Sequence, residues 1–280
     1  MRTYVITGGT DGMGKGLGLH FLRRGDSVIA VASGEEKGRA FLAEAHGLGA
    51  EGRAVFLRAD LSTVAGMRQV VEEVAATTEA VDGLVFAAQR FRPKREETAD
   101  GLESTFALAY LSRFVIGHGL MEHLERAQAP VVMNIAGPGG LPGRVNWDDL
   151  QWREGYTGMR AAMQSSRCND LLGAGFPARY PAARTRYVLY NPGFVNTSMA
   201  DPLPQPRRAV TKALARLFAM PVGKAIVPIA ALLDAAPESA VTAYLRGKPL
   251  PLTGKDFDPA AAARLDRLTT DLLGQIAATR

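Results

Sequence analysis

Short, predominantly apolar runs alternate with longer amphipathic stretches along most of this chain. "TYVIT" (3–7), "SVIAVA" (27–32), "RAVFLRADL" (53–61), "DGLVFAA" (82–88), "APVVMNIAG" (129–137) and "TRYVLYNPG" (185–193) are rich in apolar and β-branched residues and show no in–out alternation. Runs of that kind are strands buried on both faces. Between them, 12–25, 35–47, 64–78, 100–126 and 160–175 carry helical spacing, for example Val64, Met67, Val71 and Val74 on one face. A further helix is expected over 223–236, a seventh strand at "AVTAYL" (240–245) and a C-terminal helix over 258–278, with Asp258 as its N-cap and Pro259 at its first turn. Strands separated by helices of this length predict an α/β fold: a Rossmann-like, doubly wound parallel sheet of about seven strands, helices on both faces, in one domain over 1–280. The Pro-rich, polar stretch 194–222 reads as a substrate lid.

Composition narrows the class. The chain has 280 residues, 47% of them hydrophobic, so a large core is easily filled. The net charge of +5 comes from dispersed arginines, which suits a solvated surface better than a nucleic-acid footprint. Cys168 is the one cysteine, so neither an intrachain disulfide nor a cysteine metal cluster is expected. His20, His46, His118 and His123 lack zinc-ligand spacing, and no metal is expected. The chain enters its first strand at once, and no apolar run is long enough to span a bilayer. The expectation is a soluble cytoplasmic protein that acts on a small molecule, with no nucleic-acid or membrane partner.

Chemistry begins at "TGGTDGMG", Thr7 to Gly14, between the first strand and the first helix. Glycines there let the backbone approach a pyrophosphate, and the helix N-terminus offers amide donors. The spacing TGxxxGxG resembles that of short-chain dehydrogenases/reductases. Asp60 in "ADLS" and "NPGFVNT" (191–197) fall where that family places its adenine and nicotinamide contacts. "VNWDDLQWREGY" and "FDPAAAARLDRLTTDLLG" resemble the retinol-dehydrogenase-like branch. The resemblance implies a dinucleotide site of Gly8, Thr10, Asp11, Gly12, Met13 and Gly14, with Asp60 and Leu61 at the adenine, Ala87 after strand four, and Pro192, Gly193, Val195 and Thr197 over the nicotinamide. It also implies a homodimer or homotetramer. An acid at the end of strand two would hold a ribose 2′-hydroxyl and repel a 2′-phosphate. Ala32, Ser33 and Gly34 stand there, so NADP(H) is favoured over NAD(H), with Ser33, and Lys15 or Arg39, as phosphate partners.

The family's proton-transfer residues are missing. That chemistry needs a Tyr and a Lys in YxxxK spacing, a Ser at the end of strand five and an Asn on the fourth helix. The Lys⁺ lowers the phenol's pKa from near 10, so the Tyr can exchange a proton with the substrate oxygen. Aligned on "QSSRCNDLL", the Tyr position holds Ala162 and the Lys position Ser166. The serine of strand five becomes Gly137, preceded by Ala136, and the helix-four Asn becomes Ala109. "YTGMR" offers Tyr156 as a relocated acid, or else as a pocket wall. Asp148 and Asp149 read as loop and cap residues, Trp147, Trp152 and Phe194 as pocket or core, and Arg90–Glu97 as a solvated loop. The first reading is an atypical NADP(H)-dependent oxidoreductase that reduces an already activated acceptor of the iminium, quinone or enone type. The alternatives are the same fold reused for cyclisation, isomerisation or dehydration, or a non-catalytic cofactor-binding partner.

Overall fold

The computed structural model, which describes residues 1–139, 142–195 and 219–278, brings all of the apolar runs into one sheet. β1 (Thr3–Thr7), β2 (Ser27–Ala32), β3 (Ala54–Arg58), β4 (Gly83–Phe86), β5 (Val131–Ile135), β6 (Arg186–Asn191) and β7 (Val241–Leu245) are parallel, and β8 (Lys248–Leu250) pairs antiparallel with β7. Their order is β3-β2-β1-β4-β5-β6-β7-β8. The sheet thus has eight strands, one more than the pattern predicts. β8 is three residues long, too short for periodicity to mark. It is reached through a two-residue hairpin turn in which Arg246 (φ 51°) and Gly247 (φ 78°) are both left-handed, the geometry that matches strand twist.

The helices are α1 (Gly12–Arg23), α2 (Glu35–Gly47), α3 (Val64–Thr77), α4, α5 (Met121–Arg126), α6 (Gly158–Arg179), α7 (Val222–Asp234) and α8 (Pro259–Ala278). Here α4 joins three stretches: Ser104–Phe106, a π-helical Ala107–Leu111 and Ser112–Gly119. Tyr4 and Ile6 pack against α1, α2 and α7, while Val5 faces the core built by α3, α4 and α6. That is the period-two division of a strand buried on both sides. α8 lies outside α6, tied by Arg179 to Asp266 (2.6 Å) and by a buried bond between the Tyr110 and Thr269 hydroxyls (2.8 Å). Asp258 caps it as expected, accepting from the amide of Ala261 (2.7 Å).

The helix expected over 100–126 starts later and breaks once. The buried Glu103 carboxylate accepts the amides of Thr105 (2.8 Å) and Phe106 (2.7 Å), which fixes the start. Leu120 ends α4 before α5. Most of the lid expected over 194–222 lies outside the described residues; at its borders the Met220 amide donates to the Phe194 carbonyl (2.9 Å). Among the described residues no helix is long and apolar enough to cross a membrane, and no cluster of metal-ligating side chains occurs.

Candidate functional site

β1 lies between β2 and β4, so the chain reverses its winding there and opens a crevice at the strand ends. The glycine turn fills one wall of it. Gly8 is left-handed (φ 69°), and a Cβ on it would lie 2.8 Å from the amide nitrogen of Ala88. A Cβ on Gly14 would lie 2.3 Å from the Gly8 carbonyl oxygen. The turn is therefore closed on itself and seated on the end of β4, and only backbone fits. Asp11 caps α1 by accepting from the Gly12 amide (2.7 Å), and the Lys37 ammonium pairs with its carboxylate. That pairing offsets the negative charge beside the helix N-terminus. Thr10 and Gly14 are buried, Met13 half-buried, and Ala87 donates its amide to the Thr7 carbonyl (3.1 Å). A diphosphate fits this cradle.

The rest of the expected cofactor frame is spread along the same strand ends. Asp60 is exposed, and its carboxylate accepts the amide (3.0 Å) and hydroxyl (2.7 Å) of Ser62, closing the turn into α3. The Leu61 side chain is in the core, which leaves only its backbone toward the crevice. Asn191 accepts from the Gly193 amide (2.9 Å) and donates to the Pro138 carbonyl (3.3 Å), joining the loops after β6 and β5. Pro192 is buried, and Val195 bridges to Met220. Thr197 lies outside the described residues.

At the end of β2, Ser33 is exposed, and the cations expected to partner a phosphate are engaged in ion pairs. Lys15 turns to Glu44 (2.6 Å), and Arg39 pairs with Glu35 one helical turn away (3.3 Å). Lys37 pairs with Asp11 of the glycine turn, and Arg58 shares Glu35 with Arg39 (2.7 Å). The "EEK" run after Ser33 was the available signal for Lys37; nothing local marked Arg58, which arrives from β3.

Ala109 lies in the π-helical turn of α4, Gly137 just beyond β5, and Ala162 and Ser166 one turn apart on α6. None carries an acid. The Ser166 hydroxyl, 8% exposed at residue level, has no hydrogen-bond partner. Tyr156 donates its hydroxyl to the Arg92 carbonyl (2.9 Å), and burial pushes the phenol above its ordinary range. That is the direction opposite to a phenol poised for proton transfer at neutral pH.

The segment Arg90–Glu97 is a solvated loop as read, exposed at Arg90, Pro93, Lys94, Glu96 and Glu97, but its half-buried Phe91, Arg92 and Arg95 face α6 and the loop before it. Gly158, at the start of α6, lies so near that a Cβ would sit 2.2 Å from the Arg92 carbonyl oxygen. Arg95 donates to the Gln151 carbonyl (3.2 Å), and Gln151 in turn accepts the amide of Glu103 (2.8 Å). Asp149 is a loop residue as read, accepting from the Glu154 amide (3.1 Å). Trp147 lies under Arg264 (4.6 Å) in a cleft of about 620 Å³ that Arg167, Leu171 and Asp256 also line; Asp148 is on its rim. Trp152 stacks near Arg160 (5.7 Å), and Phe194 is exposed.

Two buried polar groups have no counterpart in the sequence reading. In the first, Arg113 on α4 donates to Asn134 Oδ1, to the Ile135 carbonyl (2.9 Å) and to the Ala88 carbonyl (3.4 Å). Asn134 donates to Asn169 Oδ1 (3.0 Å) and to the Tyr187 hydroxyl (2.8 Å). Asn169 holds the carbonyls of Ala109 (2.8 Å) and Ser165 (2.7 Å). In the second, Arg167 pairs with Asp170 and Asp256 (2.7 Å each) and donates to the Gly137 carbonyl (3.1 Å). Burial, reinforced by Asp256 and opposed by Arg167, pushes the Asp170 carboxyl up to about 7. Burial, opposed by Tyr187, lowers Arg113 to about 10, which leaves it charged at neutral pH.

Comparison with known proteins agrees with this frame. The family model described as short chain dehydrogenase matches residues 2–148. A polyprenol dehydrogenase of Danio rerio is 28% identical over 290 residues, 98% of this chain and 87% of that protein. Retinol dehydrogenase 13 of Mus musculus is 27% identical over 199 residues, which cover 71% of this chain but only 60% of that protein. A solved short chain dehydrogenase of Burkholderia cenocepacia in complex with NADP shares the fold, with a TM-score of 0.67 at 18% identity over 88% of this chain and 97% of that one. With a cradle suited to a nicotinamide dinucleotide, and with the family model matching more than half of its length, the chain belongs to the short-chain dehydrogenase family of oxidoreductases, in its retinol-dehydrogenase-like branch.

Proposed function

We propose that this protein is an NADP(H)-dependent reductase of a small, already activated organic acceptor, working without a tyrosine proton donor. The observation that carries the reading is the closed glycine cradle in a chain that has Ala109, Gly137, Ala162 and Ser166 where the family resemblance places its Asn, Ser, Tyr and Lys. Nicotinamide, when bound, supplies the hydride. The chain's own task is then to bind, orient and exclude water, which is worth up to about 7–11 kcal/mol when two reactants are held in register. A simple ketone needs a proton as hydride arrives; a conjugated or already cationic acceptor does not. Exposed Ser33, with Ala32 and Gly34 beside it and no acid at the tip of β2, supports NADP(H) over NAD(H).

Calorimetric titration of the purified chain with NADPH and then NADH tests the cofactor reading; tighter binding of NADPH is expected. Loss of NADPH absorbance with enones, quinones and iminium salts, but not with unactivated ketones, tests the chemistry. Binding of neither dinucleotide would overturn the proposal.

A further inference from the structure

We propose that Arg113 selects the acceptor, favouring a neutral conjugated carbonyl compound (an enone or a quinone) over a cationic iminium or oxocarbenium ion. The inference rests on the reductase reading above and narrows its substrate class. Arg113 is 2% exposed, and the oxygens it touches belong to two backbone carbonyls and one side-chain amide, all neutral. Its Nε has no partner, and among the described residues no carboxylate pairs with it. The other deeply buried arginine, Arg167, is treated differently, with two carboxylates at 2.7 Å. A buried ion left uncompensated is costly to the fold, and its field reaches further for lack of a counter-charge.

Its place gives that field a target. Its two carbonyl partners are Ala88, two residues beyond β4, and Ile135, the last residue of β5, and Gly8 of the dinucleotide cradle packs on Ala88. Through Asn134 and Asn169 the guanidinium is linked to the Ala109 carbonyl, in the wall that has lost its proton donors. When an enone is reduced here, its β carbon gains a C–H bond as the C–H bond of the reduced nicotinamide breaks. The alkene electron pair moves into the new C=C bond, and the carbonyl pair closes onto oxygen. The resulting enolate takes its proton from water. Negative charge grows on oxygen during this step, and a fixed cation favours it. An iminium enters with a positive charge, so the same cation opposes its binding.

The test uses the full chain with Arg113→Met and Arg113→Lys, and it has an equilibrium arm. Bound 4-nitrophenol, followed by its phenolate colour, is expected to titrate about one pH unit lower than free in the wild type and in Arg113→Lys, but not in Arg113→Met. NADPH consumption with cyclohexenone is expected to fall about tenfold or more in Arg113→Met, with partial recovery in Arg113→Lys, while consumption with a cyclic iminium salt does not fall. A phenol shift that survives Arg113→Met, or equal losses with both acceptors, overturns the proposal. Should Arg113→Met fail to fold, the wild-type titration decides, and an unshifted phenol overturns it. NADPH consumption without the phenol shift sinks the selection alone. A shift without NADPH consumption sinks the reductase reading and the selection with it.

Discussion

Asp170→Asn gives a direct measure of what burial of a carboxyl costs this fold. The Asp170 side chain is fully buried, and its carboxyl is pushed up to about 7 although Arg167 lies 2.7 Å away. An unfolded aspartate titrates near 3.9, so the gap of about three units corresponds to roughly 4 kcal/mol. The folded chain keeps this proton longer than the unfolded chain does. Stability linked to Asp170 is therefore full below about pH 4 and is lost as pH rises to about 7. His118 works in the opposite sense. Burial, aided by the charge of Arg179, lowers it to about 3, so its contribution is present above the unfolded value near 6.5 and is lost as pH falls toward 3. The two slopes offset one another in the wild type between pH 4 and 6.5, and comparison with the variant separates them. Urea unfolding followed by Trp147 and Trp152 fluorescence, at several pH values from 4 to 8, is expected to show Asp170→Asn gaining on the wild type by up to about 4 kcal/mol across that range. Arg167 keeps Asp256 and the Gly137 carbonyl in the variant. A difference that does not change with pH, or that grows in favour of the wild type, would mean that the Arg167 ion pair outweighs desolvation, and would refute the reasoning.

Three further outcomes are expected. His118→Phe should be more stable than the wild type at pH 5, with the advantage shrinking by pH 8, as thermal unfolding at the two pH values will show. Gly14→Ala puts a Cβ 2.3 Å from the Gly8 carbonyl, so the turn must open at a cost of about 1–3 kcal/mol; calorimetry should find NADPH affinity reduced by about tenfold or more. Tyr156→Phe loses one bond to the Arg92 carbonyl, worth about 1 kcal/mol of stability, and should leave NADPH consumption near the wild-type rate; a fall of about 100-fold or more would make Tyr156 the proton donor after all.

The parallel strands were legible because burial of their middles leaves mostly apolar and β-branched residues there, and their order of appearance implied the doubly wound sheet. β8 was not, since three residues carry no period and its identity depends on the left-handed pair Arg246 and Gly247. Asp258 announced α8 because a cap is a local device, whereas the late start of α4 depends on Glu103, whose amide is held by Gln151 from a distant loop. The same division runs through the site. The glycine turn is contiguous and was readable. Arg113, Asn134, Asn169 and Tyr187 come from four separate elements, so their meeting is a product of packing alone. Lys15 and Arg39 had the right charge within reach in sequence, but helix geometry turned them to Glu44 and Glu35.

β8 also has a meaning for the behaviour of the chain in a crowded solution. Without it, β7 would present an open ladder of amides and carbonyls with Tyr244 and Leu245, a template on which another chain's strand can grow. The strand laid over that ladder is a stopper: Pro249, opposite Tyr244, has no amide to offer a next neighbour, and Lys248 adds an exposed charge. Three residues thus end the sheet on that side and insulate it from edge-to-edge polymerisation.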